Sequence, residues 1–167
     1  MSKKTFFLAL FLSATSSSLY SQENPLEEPP GVERAENTAV YEIITSAIYA
    51  FNAENEAGVY GTEFHFTYWM NHIWGAGLSY TVLFEEENKQ IQQLALLGSY
   101  NPKEWLTINT GPNFRLPSTN HDLKVSAYLE TEFNYRLRNW VHFGPLLGAT
   151  IGEETELSIG FQIGFEF

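Results

Sequence analysis

The chain has 167 residues, 16% of them aromatic, with 9 Lys+Arg against 20 Asp+Glu and a formal net charge of −11. That length fits one domain, and a hydrophobic fraction of 44% excludes disorder throughout. The absence of cysteine excludes a disulfide scaffold, thiolate metal sites and a Cys nucleophile, and the acidic balance argues against a nucleic-acid partner, which needs a basic face.

Residues 1–22, MSKKTFFLALFLSATSSSLYSQ, read as a cleaved export signal. Lys3 and Lys4 form the positive n-region, Phe6 to Ala14 the short apolar h-region, and small residues follow. A cut after Ser18 and a cut after Ser21 both remain open. Residues 23–38 are acidic and broken by Pro25, Pro29, Pro30 and Gly31, which makes them a flexible exposed tail or linker.

From residue 39 to 167 the texture is uniform: period-2 alternation between turn signals. Segment 39–52 is strand-like but alternates loosely. In 60–70, Tyr60, Phe64, Phe66, Tyr68 and Met70 oppose Gly61, Glu63, His65 and Thr67. In 74–84, Trp74, Ala76, Leu78, Tyr80, Val82 and Phe84 oppose Gly75, Gly77, Ser79 and Thr81. Segment 89–101 again alternates loosely. In 105–116, Leu106, Ile108, Phe114 and Leu116 oppose Trp105, Thr107, Asn109, Gly111, Asn113 and Arg115. In 125–135, Val125, Ala127, Leu129, Phe133 and Tyr135 oppose Ser126, Tyr128, Glu130, Glu132 and Asn134. Segment 139–151 is the third loose one, and the last stretch, ELSIGFQIGFEF, alternates without error. These are eight strands joined by short connections, which force antiparallel neighbours and an up-and-down meander. A meander with no covering helix closes into a barrel and so removes its edges.

Which face is wet decides between two barrels. A soluble lipocalin-like barrel turns its apolar face inward around a ligand; a transmembrane barrel turns it outward to lipid. The polar face here is built from Gly, Ser, Thr, Asn, Gln and Glu, too small and too rarely charged for a soluble exterior. Strand lengths suit a bilayer, and Tyr41, Tyr68, Trp74, Tyr100, Tyr135 and Phe167 near segment ends suit interfacial girdles. The expectation is an all-β, eight-stranded antiparallel up-and-down transmembrane β-barrel.

The ending Phe161-x-Ile163-x-Phe165-x-Phe167 resembles the C-terminal signal of Gram-negative outer-membrane β-barrels. With the export signal and the strand count, the chain is similar in layout to the small eight-stranded members of that group. The resemblance implies an outer-membrane location, a monomer among lipid and lipopolysaccharide, and recognition of Phe161, Ile163, Phe165 and Phe167 by the barrel assembly machinery. Some barrels of this layout modify lipid A, and the deacylase pattern is a His-x-Ser pair. His65 is followed by Phe66 and Thr67, and His142 by Phe143 and Gly144, so neither supplies the pair. No catalytic residue, cofactor or metal is assigned.

An eight-stranded barrel is just wide enough for side chains to fill it, which excludes a porin-like sieve. The alternation turns Glu42, Glu63, His65, Arg115, Lys124, Glu130, Glu132, Arg136, His142 and Glu166 into the lumen. Charges in so narrow a space pair or stay hydrated. Arg115, Lys124 and Arg136 are natural partners for Glu130, Glu132 and Glu63. Counting from the hairpin tips places Glu132, His142, Glu166 and Glu42 at similar depth. They read as a salt-bridged plug; the alternative is a metal or proton site. An even strand number puts both termini on the periplasmic side, so the outer rim carries Glu54, Glu56, Glu85, Glu86, Glu87, Asp122, Glu153 and Glu154. That rim reads as a solvated edge, with cation bridging to lipid phosphates as the rival. The functional expectation is a structural or envelope-associated protein without catalysis. Its rivals are a lipid-modifying or lipid-binding outer-membrane protein and a soluble exported binding barrel.

Overall fold

The computed structural model describes residues 40–52, 58–85, 89–117 and 122–167. The export signal, the 23–38 tail, Glu54, Glu56, Glu86 and Glu87 lie outside the described residues. The strands in chain order are β1 (Val40–Asn52), β2 (Gly58–Trp69), β3 (Trp74–Phe84), β4 (Gln90–Lys103), β5 (Leu106–Arg115), β6 (Lys124–Phe133), β7 (Tyr135–Arg138), β8 (Val141–Ile151) and β9 (Thr155–Glu166). Every neighbouring pair is antiparallel, and β9 pairs with β1 from Glu42↔Glu166 to Asn52↔Glu156.

Nine segments make eight staves. β6 and β7 both pair with β8 and are divided only by Asn134. The break is stitched from three sides. The Asn134 backbone N–H donates to the Trp105 carbonyl (2.8 Å), and its side-chain amide donates to Thr107 Oγ1 (3.0 Å) and accepts from Gln162 Nε2 (2.8 Å). Across from it, Gly144 leaves the Phe133 carbonyl room that a Cβ would occupy. The pairing β6–β8 closes the sheet, and among the described strands only the four-residue β7, paired with β8 alone, keeps an open edge.

The wall alternates strictly through most strands. Outward positions are apolar and uncovered: Ile43, Phe64, Phe66, Leu78, Leu96, Leu129, Phe143, Phe161, Ile163 and Phe165 are all exposed. Inward positions are buried and mostly polar: Glu42, Ser46, Glu63, His65, Thr67, Ser79, Gln93, Asn109, Glu130, Glu132, His142 and Gln162. This polarity is the reverse of a soluble barrel and is that of a transmembrane one. Among the described residues the aromatic cavity of the soluble alternative is not formed, because most aromatics stand outside and the buried Trp69 and Tyr128 bond to lumen carboxylates.

One part of the interior departs from the sequence reading. Ile48, Ala50, Leu83, Ile91 and Leu146 form a buried apolar cluster inside the barrel, and Ala95, Leu97 and Tyr128 form a second. Most of these residues lie on β1, β4 and β8, the strands whose alternation is loose because both faces are apolar.

The two ends of the barrel differ. The end holding Val40 and Glu166, here the terminal end, carries Tyr41, Tyr68, Trp74, Tyr100, Tyr135, Trp140 and Phe167 on its outside. Ring pairs Trp74–Tyr100, Tyr41–Tyr68, Trp105–Phe133 and Trp140–Phe165 form a girdle there. All four tryptophans (Trp69, Trp74, Trp105 and Trp140) fall at this end, at strand termini or in the connecting turns. The far end has the Tyr49 and Tyr60 rings in tilted contact at 5.0 Å and carries the β8–β9 turn at 152–154.

Candidate functional site: the barrel lumen

The inward side chains fall into three layers. At the terminal end, the seam between the first and last strands places Glu42 beside Glu166. Glu42 accepts the indole N–H of Trp69 (2.8 Å) and faces His142 Nε2 at 2.7 Å. Glu166 accepts Arg136 Nη2 at 2.6 Å. Gly164 makes this possible: it stands opposite His142, and any Cβ there would overlap the imidazole ring. Two carboxylates therefore meet one guanidinium and one imidazole, with an indole donor, and tie β1, β2, β7, β8 and β9 together.

The middle layer is more acidic. Glu63 Oε1 accepts Ser79 Oγ (2.6 Å), Thr81 Oγ1 (2.8 Å) and the Tyr128 hydroxyl (2.8 Å). His65 lies between three carboxylates, with Nε2 3.2 Å from Glu63 and Nδ1 3.3 Å from Glu132 and 3.6 Å from Glu130. Asn109 donates to Glu132 at 2.7 Å. Glu63, His65, Glu130 and Glu132 are each at most 2% exposed. Among the described residues, His65 is the one cationic group within ion-pair distance of these carboxylates.

The far end holds the remaining cations. Arg115 pairs with Glu156 and reaches Glu154 at 3.7 Å. Lys124 pairs with Glu154 (2.8 Å) and Glu153 (3.5 Å). Gln93 joins this layer by donating to Glu156 (3.1 Å) and accepting from Asn113 (2.8 Å). The hydrogen bond from Lys124 holds the Glu154 carboxyl below the usual carboxylate range.

These contacts correct two expectations. Arg115, Lys124 and Arg136 do not pair with Glu63, Glu130 and Glu132; each meets a carboxylate at its own end of the barrel. Reach explains it. Lys124 and Glu130 are six residues apart on β6, about 20 Å at a strand's rise, beyond any lysine. Glu132 also leaves the expected group of four. In β8, His142 faces Arg136 whereas Leu146 faces Glu132, so Glu132 sits four residues deeper and joins His65 instead. Counting from hairpin tips ignores the stagger that barrel closure requires. Glu42, His142 and Glu166 do meet.

Several members of the network were not singled out from sequence: Trp69, Tyr128, Asn109, Gln162, Asn134 and Glu156. The signal was present, since each shares the inward parity of its strand. Tyr128 and Trp69 pass for outward residues by residue type alone.

Comparison with solved structures follows this geometry. The N-terminal β-barrel domain of Pseudomonas aeruginosa OprF matches over 78% of this chain and 100% of its own, at 15% identity and a TM-score of 0.57. Ail, the attachment invasion locus protein of Yersinia pestis, in complex with the heparin analogue sucrose octasulfate, matches over 77% of this chain and 99% of its own, at 11% identity and a TM-score of 0.54. Neisserial surface protein A matches over 77% and 97%, at 9% identity and a TM-score of 0.54. The fold is that of the small eight-stranded outer-membrane β-barrels. No protein-family model matches the sequence, and comparison with curated proteins finds no relative. The likeness therefore concerns the fold alone.

Proposed function

We propose that the protein is a small monomeric outer-membrane barrel whose lumen is closed by its own side chains, with a structural role in the envelope and no catalysis. The observation that carries this reading is the pairing of an uncovered apolar wall with an interior of buried, mutually bonded polar groups. An exposed wall of this size is tolerated only against lipid. The export signal expected at 1–22 and the outward row Phe161, Ile163, Phe165 and Phe167 support delivery by the barrel assembly machinery.

Two features weigh against the rival activities. His65 and His142 are buried in the lumen, away from any lipid substrate on the wall. The Ail structure holds a polysulfated heparin analogue. Here the far end bears the exposed Glu153 beside Glu154, which repels such a ligand.

The test is extraction of the expressed protein into detergent, followed by gel mobility before and after boiling and by planar-bilayer recording. The expected result is a heat-modifiable, detergent-dependent monomer without steady ion conduction, and unchanged lipid A by mass spectrometry. A stable detergent-free monomer overturns the membrane reading. Steady conduction overturns the closed lumen, and altered lipid A overturns the absence of catalysis.

A further inference from the structure

The two buried His–carboxylate groups of the lumen are not equivalent. At the terminal end, Glu42 and Glu166 already hold the Trp69 indole and the Arg136 guanidinium, and His142 Nε2 lies 2.7 Å from Glu42. In the middle layer, Glu63, Glu130 and Glu132 face a single imidazole. Three buried carboxylates with one possible cation are too costly to leave uncompensated in a low-dielectric interior.

Geometry adds an independent point. His65 is 2% exposed, and neither of its ring nitrogens makes an aligned hydrogen bond, although carboxylate oxygens surround them at 3.2–3.6 Å. Glu132 Oε2 is also buried without a partner. Donor atoms of Glu63, His65 and Glu130 all lie within 4.8 Å of one another. This is a ring of donors that converge without satisfying each other.

We propose that Glu63, His65 and Glu130, with Glu132 at their edge, form a buried site for one divalent first-row transition-metal cation of the Zn2+ type. An imidazole nitrogen with carboxylate oxygens matches the ligand preference of such ions. Ca2+ asks for six to eight oxygens and Mg2+ for an octahedral shell that keeps its waters; the layer offers neither. The second shell is in place, with Ser79, Thr81 and Tyr128 orienting Glu63 and Asn109 orienting Glu132. A small cavity lined by Glu63, Thr81, Gln93, Tyr128 and Glu156 adjoins the middle layer, and Arg115 pairs with Glu156 on its far side. The proposal concerns the middle layer alone and stands apart from whether the closed barrel conducts ions.

The experiment uses the untagged protein extracted in detergent, stripped with a chelator and then titrated with Zn2+. The expected result is one equivalent per chain retained through gel filtration, measured by elemental analysis, with a rise in the thermal transition. H65Q and E130Q are expected to retain less than a tenth of an equivalent while still shifting on boiling, and H142Q to retain the full equivalent. If the middle-layer variants fail to fold, histidine ring nitrogen resonances in H142Q decide the matter. A Zn2+-dependent shift of the remaining buried histidine supports the site, and an unchanged spectrum overturns it. Folded wild-type protein that retains no Zn2+, or folded H65Q that retains the full equivalent, also overturns it.

Discussion

Tyr128 crosses the lumen to place its hydroxyl on Glu63, where it becomes the third donor to a single carboxylate oxygen. Tyr128→Phe removes that donor and leaves two, so the expected loss is about 1 kcal/mol, read from urea unfolding in detergent micelles. Gly164 makes the opposite kind of contribution, by absence. Gly164→Ala drives a methyl group into the His142 ring, breaking its approach to Glu42 at an expected cost of about 1–3 kcal/mol. The same unfolding measurement checks it, and a neutral result would show that the ring has another place to go. At this scale the sequence reveals the facing of residues but not their level. Parity alone turns Glu63, His65, Glu130 and Glu132 inward. Their convergence depends on the stagger between strands, which no single strand's pattern encodes.

The strands divide into two kinds, and the difference governs how they fail. β2, β3, β6 and β9 carry a polar row and an apolar row, so a register slip would put polar groups, and in β2, β6 and β9 charges, against lipid. β1, β4 and β8 are apolar on both faces over part of their length, because Ile48, Ile91, Leu97 and Leu146 point inward. Leu146 is fully buried, and Leu146→Ala is expected to cost about 2–5 kcal/mol through the cavity it opens, seen as an earlier unfolding midpoint. This mixed character explains what was legible. The eight staves and their order followed from alternation and short turns, whereas the apolar clusters inside the lumen were hidden in the strands that alternate poorly. The division at Asn134 was hidden too, since an inward polar residue in a strand carries no mark of a broken ladder. At the far end, the turn between β8 and β9 is clasped to β6 through Glu154 and Lys124. The clasp holds Glu154 below its ordinary value of 4.5. A lowered folded-state value means that the stabilisation is present above the unfolded carboxylate range and disappears as the pH falls through the folded one. Hydrogen exchange at Ile151 and Thr155, corrected for intrinsic rates, should therefore quicken below about pH 4. Glu154→Gln should show the faster rate at every pH.

As a whole the molecule is a wall that must face lipid around a core that must not. Leu96 stands outward near the middle of β4, and Leu96→Arg is expected to lose about 2–4 kcal/mol of membrane stability. Its measure is the fraction of unboiled protein that migrates as folded. The fold-level reading came from features distributed over the chain, such as the outward aromatics and the final alternating row, so local errors did not disturb it. Lumen chemistry is decided by a handful of atoms, and there the same approach resolved only which residues take part. The gathering of every tryptophan at the terminal end also governs what light can report about assembly. Intrinsic emission follows the arrival of that rim at its final depth and is blind to the hairpins that must traverse the bilayer ahead of it. A kinetic trace from fluorescence and one from circular dichroism therefore time different ends of the same insertion, and the interval between them dates the crossing.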